Sequence, residues 1–291
     1  MIPDDLVHEL RYIDLGTARR IRSLRPGAYT SRLKGDGLDF DRHRHYEVGD
    51  DVRRIDWNVT ARVGQPFVRQ MHAERELDLV VAIDLSRSMN MASDGRSKRE
   101  AQRRVTASLL FSALTDRIST GFVGFTDRVL RWVTPTANAR RAWAALSELY
   151  AMEAPPGPTL LGPAIVHLLR SLKRTTLVVI VSDFLVRENL SSATELAALA
   201  ARHDVVAVIL SDKFEGRLPA GSGFVRVRDL ESGVERAITL NDAVRAQYAA
   251  TVERHREELV RCCYRIGIEP LFVDAAGDVV TPLVGAFARR R

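Results

Sequence analysis

The sequence predicts an α/β protein built on a doubly wound, mostly parallel β-sheet. Two runs, Leu79–Ile83 and Leu177–Val181, are wholly apolar or nearly so and have the length of a strand, which is typical of central strands buried on both faces. Strands of this kind alternate with segments of helical apolar spacing through residues 76–274. That alternation favours a parallel sheet with helices on both faces, in which ligands bind at the carboxyl ends of the strands.

The remaining elements follow from apolar periodicity and from turn residues. Strands are predicted at 67–71, 76–85, 118–126, 129–133, 176–181, 205–210 and 269–273. Helices are predicted at 96–117, 138–150, 161–172, 190–202, 241–265 and 282–288. Two short apolar runs flank the turn Glu231-Ser232-Gly233 and predict a β-hairpin insertion at about 216–240.

The first 75 residues differ in pattern and are predicted to form an N-terminal extension of the α/β domain at 76–291. Residues 4–24 have helical spacing that ends at Pro26-Gly27. Glycines recur through residues 27–66 and predict loops and short strands rather than a helix.

Composition is typical of a soluble globular protein, with 46% hydrophobic and 27% charged residues. No apolar run reaches the roughly 18–20 residues that span a bilayer, and the first ten residues have no apolar core of a secretory signal. Cys262 and Cys263 are adjacent, and neighbouring cysteines rarely satisfy disulfide geometry. We therefore expect free thiols and a cytoplasmic location.

The net charge of +6 is concentrated in one segment. Residues 87–141 hold 11 basic and 4 acidic residues. This surplus could attract an acidic partner or nucleic acid, or form a solvated arginine-rich helix face. Aromatic residues do not alternate with the basic ones, and no zinc-finger spacing is present, so nucleic acid is the weaker interpretation.

Three polar segments follow predicted strands or precede a helix: Asp84–Ser88, Gly157–Gly162 and Ser182–Phe184. Their carboxylates and hydroxyls are all oxygen ligands, which suit a hard divalent cation such as Mg²⁺ or Mn²⁺. The predicted ligands are Asp84, Ser86, Ser88, Thr159 and Asp183. Five protein groups leave a coordination position that an incoming carboxylate could fill. The alternative is ordinary capping of strand ends and helices.

The same residues resemble the metal-ion-dependent adhesion site of von Willebrand factor A domains. Residues 35–62, followed by Val68-Arg69 and Glu74-Arg75, resemble a bacterial family known as domain of unknown function fifty-eight. That resemblance covers about residues 20–275. It implies a von Willebrand factor A-like domain with an N-terminal extension, and a partnership with a MoxR-type AAA+ ATPase. Leu160 follows Thr159, at a position where many relatives carry a polar residue. The residues that would hydrogen-bond to the metal ligands from outside are therefore left open.

Mixed charges surround two apolar residues within the N-terminal signature. Arg53, Asp56, Trp57 and Arg62 are predicted to lock the extension to the α/β domain, with Ile55 and Trp57 as anchors, or to form a recognition face. His43 and His45 could bind a metal, but no third ligand accompanies them.

The favoured function is a metal-dependent protein–protein interaction module, an adaptor or co-chaperone of a MoxR-type AAA+ ATPase. A partner's Asp or Glu would complete the shell of the ion. One alternative is a metal-dependent hydrolase, although the site motifs carry no histidine or lysine that could act as a general base. The other is nucleic-acid binding through residues 87–141. No catalytic constellation is predicted.

Overall fold

The structure, a computed structural model, describes residues 39–47, 50–72, 77–92, 95–153, 155, 157–186, 194–231 and 233–289. The predicted helix at 4–24 lies outside these residues. The chain divides into two compact units, one of Arg25–Glu76 and one that includes Leu77–Arg291. Each unit is described separately.

The smaller unit contains an antiparallel strand pair, β1 (Asp39–His45) and β2 (Phe67–His72). A 3₁₀ turn at Val52–Arg54 leads into helix α1 (Trp57–Val63). The prediction of loops and short strands here was therefore wrong for α1. Asp56 accepts hydrogen bonds from the Asn58 and Val59 amides and begins the helix, and Gly64 ends it at φ 76°.

The larger unit is organised by a six-stranded sheet. Its strands are β3 (Asp78–Asp84), β4 (Ser119–Phe125), β5 (Val129–Thr136), β6 (Thr176–Ser182), β7 (Asp204–Ser211) and β10 (Glu269–Asp274). They lie in the order β10-β7-β6-β3-β4-β5. Five strands are parallel, and β5 pairs antiparallel with β4 at one edge. The predicted mostly parallel sheet is confirmed.

Helices cover both faces of this sheet. They are α2 (Lys98–Thr115), α3 (Ala139–Ala151), α4 (Gly162–Ser171), α5 (Thr194–Arg202), the single turn α6 (Lys213–Gly216), α7 (Asp242–Arg265) and α8 (Thr281–Arg289). Alternate residues of β3 enter opposite cores. Leu79 and Val81 pack with residues of α2, α3 and α8, and Val80 and Ala82 pack with residues of α4, α5 and α7. This division is the consequence of the two-residue period of a strand.

The predicted hairpin is present between β7 and α7. Strand β8 (Gly223–Arg228) pairs antiparallel with β9 (Glu235–Leu240), and Arg228 lies opposite Glu235. Both strands are separate from the six-stranded sheet.

The two cysteines lie on the inner side of α7. Both are buried and form no disulfide, and burial raises the pKa of Cys263 to about 12. A buried, protonated thiol is unreactive, which favours a packing role for Cys263. Within the described residues, no helix combines the length and the apolar character needed to cross a bilayer.

Gly121 is expected to be intolerant of a side chain because β4 lies against the backbone of β5. A Cβ at this position would stand 2.7 Å from the Val133 carbonyl oxygen and 2.8 Å from the Pro135 nitrogen. Gly121→Ala should lower the free energy of unfolding by about 1–3 kcal/mol, measured by urea denaturation. Gly216→Ala is the matched control, because a Cβ there meets nothing within 4 Å. Equal stability of the two variants would contradict this packing.

Candidate functional site

The candidate site lies at the carboxyl edge of the sheet, where two central strands end side by side. Asp84 is the last residue of β3 and Ser182 the last residue of β6, and the strands pair in parallel with Ile83 opposite Val181. Parallel strands direct their carboxyl ends to one edge, so the loops that follow them converge.

Asp84 forms the floor of the site and is completely buried. Its Oδ1 accepts the Ser86 amide at 2.9 Å, and its Oδ2 accepts the Ser182 hydroxyl at 2.6 Å. Burial, followed by repulsion from Asp183, raises the pKa of Asp84 to about 7. The ionised form of Asp84 is therefore costly in this environment, and a nearby cation would favour it.

A chain of oxygen atoms connects the first and third predicted segments. The hydroxyl oxygens of Ser86 and Ser88 are 3.0 Å apart. The Ser88 hydroxyl donates to Asp183 Oδ2 at 2.7 Å, and Asp183 Oδ1 accepts the Leu185 amide at 3.0 Å. Adjacent oxygens around Mg²⁺ are separated by about 3.0 Å when each lies about 2.1 Å from the ion. The observed separations match that spacing.

Thr159 is joined to these residues through Glu231, which lies in the turn between β8 and β9. Thr159 is buried in the loop before α4, and its hydroxyl donates to Glu231 Oε1 at 3.4 Å. The Ser88 amide donates to the same oxygen at 3.0 Å. All five residues predicted as ligands are thus brought together, four of them nearly inaccessible to solvent.

Lys98 was not predicted to belong to the site, yet its ammonium group lies within it. The side chain is fully buried. Its Nζ donates to Asp183 Oδ2 at 2.6 Å and also to Glu215 Oε1. Burial lowers the pKa of Lys98, but Asp183 and Glu215 outweigh this effect and hold the pKa above its usual value. Lys98 is therefore a cation inside the protein and does not contribute to the surface charge predicted for residues 87–141.

The charge balance of the site favours a further cation. The Lys98 ammonium contacts two carboxylates of the site, those of Asp183 and Glu215. The carboxylates of Asp84 and Glu231 instead accept hydrogen bonds from the amides of Ser86 and Ser88. Buried carboxylates require compensation by opposite charge or hydrogen bonds. The hydroxyls of the two serines and Thr159, together with the Asp183 carboxylate, are the groups that could hold a divalent ion, with Asp84 behind them.

The candidate site differs in composition from metal sites that are built only from ionisable side chains. Within the described ranges, no group of three or more His, Cys, Asp and Glu side chains is arranged to hold a metal ion. The candidate site differs because hydroxyl oxygens supply most of its donors. Hydroxyl donors suit Mg²⁺ or Mn²⁺ better than a softer ion.

Gln102 was also missed, and it fixes the ends of the two strands. Its side-chain amide donates to the backbone carbonyls of Asp84 and Val181, each at 2.9 Å. Lys98 and Gln102 are one turn apart on the buried side of α2, in a row that continues with Val105 and Leu109. Polar residues within an otherwise apolar helical row were the signal that could have identified them.

The residues predicted as an interdomain lock lie in the smaller unit. Asp56 is buried and contacts His43 Nε2 at 2.9 Å, in addition to capping α1. Arg53 and Arg62 are exposed. Trp57, at the first turn of α1, is 66% exposed. Its role as an anchor of the extension stays a prediction.

Comparison with known proteins places the chain in a family. The family model described as "Protein of unknown function DUF58" matches residues 42–258. Uncharacterized proteins of Mycobacterium tuberculosis and Mycobacterium bovis are each 31% identical over 288 residues, which cover 98% of this chain and 90% of theirs.

Solved structures give weaker similarity. The conserved hypothetical protein BatB from Bacteroides thetaiotaomicron has a TM-score of 0.43 at 19% identity, over 73% of this chain and 99% of that one. An aerotolerance-related membrane protein from Bacteroides fragilis has a TM-score of 0.43 at 18% identity, over 74% and 98%. Neither score reaches 0.5, so the fold described above rests on the topology of this chain alone. The sequence match, which extends over three quarters of the chain, shows that the protein belongs to the DUF58 family.

Proposed function

We propose that the larger unit is a von Willebrand factor A-like, metal-dependent protein–protein interaction module. The observation that carries this proposal is the convergence of Ser86, Ser88 and Asp183 at the carboxyl edge of the sheet, with oxygen separations of 2.7 and 3.0 Å. These separations suit adjacent ligands of Mg²⁺ or Mn²⁺. The ion would be held by Ser86, Ser88 and Thr159, with Asp84 and Asp183 bound directly or through water.

The bound ion supplies a positive centre for a carboxylate of a partner protein. A charge-assisted contact of this kind is strong and directional in a partly dehydrated site. The chain itself contributes the hydroxyl donors, the Ser88 amide and the fixed loop geometry. Glu231 supports this proposal because its carboxylate lies against the Ser88 amide and the Thr159 hydroxyl. A glutamate side chain is therefore accommodated at this point.

The partner is defined by chemistry: it presents an Asp or Glu on an accessible surface. The resemblance to the family gives one candidate, a MoxR-type AAA+ ATPase or a protein that such an ATPase remodels. An adaptor or co-chaperone with a cation-dependent contact fits that role. The arginines of residues 87–141 that remain outside the core would steer an acidic partner toward the site.

Titration calorimetry of Mg²⁺ and Mn²⁺ tests the proposal. The wild type is expected to bind one equivalent, and Asp84→Ala is expected to bind none. Asp84→Ala removes the acceptor of the Ser86 amide and the Ser182 hydroxyl, which leaves the serine loop without its orientation. Glu148→Ala on α3 is the control, because that side chain is exposed. Equal binding by the wild type and Asp84→Ala would contradict the assignment of the site.

A further inference from the structure

The turn between β8 and β9 holds one glutamate in a fixed orientation. The Gly233 amide donates to the Asp229 carbonyl at 2.8 Å, and the Asp229 amide donates to the Val234 carbonyl at 2.9 Å. The Glu231 amide donates to Asp229 Oδ1 at 2.9 Å. Gly233 has φ 72°, a conformation that glycine adopts at little cost. These contacts close the turn, and the Glu231 side chain extends from it to the candidate site.

Glu231 reaches a loop that is 143 residues distant in the sequence. Its Oε1 accepts both the Ser88 amide and the Thr159 hydroxyl. Two segments of the candidate site, the loop after β3 and the loop before α4, are therefore connected by one carboxylate oxygen. That oxygen occupies the place where a partner's Asp or Glu would have to approach the same donors.

The apolar residues at the tip of the hairpin are partly exposed. Leu230 precedes Glu231 and is 39% exposed, and Val234 is 50% exposed. Phe224, farther along the hairpin, is 86% exposed. Segments with few buried apolar contacts open at low free-energy cost. The described polar contacts of Glu231 connect this tip to the site.

We infer that Glu231 is an internal carboxylate ligand of the site, which a partner's carboxylate must displace. This inference rests on the proposed function, because it concerns the regulation of the same site. A tethered acid has an effective concentration on the order of millimolar, so it competes with any free carboxylate. Displacement releases the hairpin tip and exposes it to the partner. The hairpin then admits only partners whose carboxylate can displace Glu231 from the site.

Amide hydrogen exchange followed by NMR tests whether Glu231 protects the site. In Glu231→Ala, the Ser88 amide loses its acceptor and is expected to exchange about tenfold faster than in the wild type. Glu235→Ala is the matched control on the same hairpin, since Glu235 contacts Arg226 and not the site. Unchanged exchange at Ser88 in Glu231→Ala would overturn the inference.

Competition is tested with a synthetic peptide that has the sequence of residues 226–236. With Mg²⁺ present, Glu231→Ala is expected to bind this peptide about tenfold more tightly than the wild type or Glu235→Ala. Equal affinity for all three proteins would overturn the inference. Absence of Mg²⁺ binding in every protein would instead overturn the proposed function. The Ser88 exchange rate, measured without metal, would still decide whether Glu231 holds the loop.

Discussion

Lys98→Met is expected to lower the free energy of unfolding by about 3–5 kcal/mol in buffer without divalent ions. The ammonium group is fully buried and contacts the carboxylates of Asp183 and Glu215. Methionine preserves much of the volume but leaves these carboxylates without their counter-ion. Urea denaturation measures the loss, and Lys173→Met is the control, because Lys173 is exposed and its substitution should change stability by less than about 0.5 kcal/mol.

The same variant is expected to bind Mg²⁺ more tightly than the wild type. Removing one positive charge from beside Asp183 leaves more negative charge for the ion, and a gain of about tenfold corresponds to 1.4 kcal/mol. Addition of Mg²⁺ should therefore recover part of the lost stability. A Lys98→Met protein as stable as the wild type would contradict the role of Lys98 as the internal counter-ion.

Asp183→Asn is expected to differ from Lys98→Met in both properties. Its affinity for Mg²⁺ should fall strongly, and its free energy of unfolding should fall only slightly. Loss of an outer-shell partner alone costs about 10–100-fold in metal affinity, so loss of a ligand should cost at least about 100-fold. Lys98 retains Glu215 as a counter-ion in this variant. Removing the Asp183 charge also relieves the repulsion that contributes to the raised pKa of Asp84.

Calorimetry and urea denaturation measured on the same preparation separate the two effects. Asp204→Asn is the control, since Asp204 begins β7 at the opposite end of the sheet. A large stability loss in Asp183→Asn with unchanged Mg²⁺ affinity would indicate that Asp183 is a structural partner of Lys98 and not a ligand.

The fold was predictable where burial alone determines the pattern. Apolar runs such as Leu79–Ile83 and Leu177–Val181 identified central strands, because a strand buried on both faces has no polar side. The hairpin was predictable from the turn at Gly233, since positive φ favours glycine. Helix α1 was not, because glycines on both sides of a seven-residue helix outweighed its capping residue Asp56 in the pattern.

The candidate site was predictable only as far as its motifs extend. Asp84, Ser86 and Ser88 lie on one loop, and strand ends that meet at one edge bring Asp183 close to them. Lys98 was interpreted as part of a charged surface, although its position in one helical row with Val105 and Leu109 indicated an inward side chain. Glu231 was beyond prediction, since its contact with Ser88 depends on the direction of a hairpin turn inserted 143 residues away.

The central claim is that a divalent ion binds among the hydroxyls at the end of β3. Crystals of the wild-type protein grown with Mn²⁺ and measured at the manganese absorption edge test it most directly. The expected anomalous difference peak lies within about 2.2 Å of the Ser86 and Ser88 hydroxyl oxygens, with Thr159 and Asp183 in its first or second shell. An empty map at these oxygens, with Lys98 still bound to Asp183, would contradict the account.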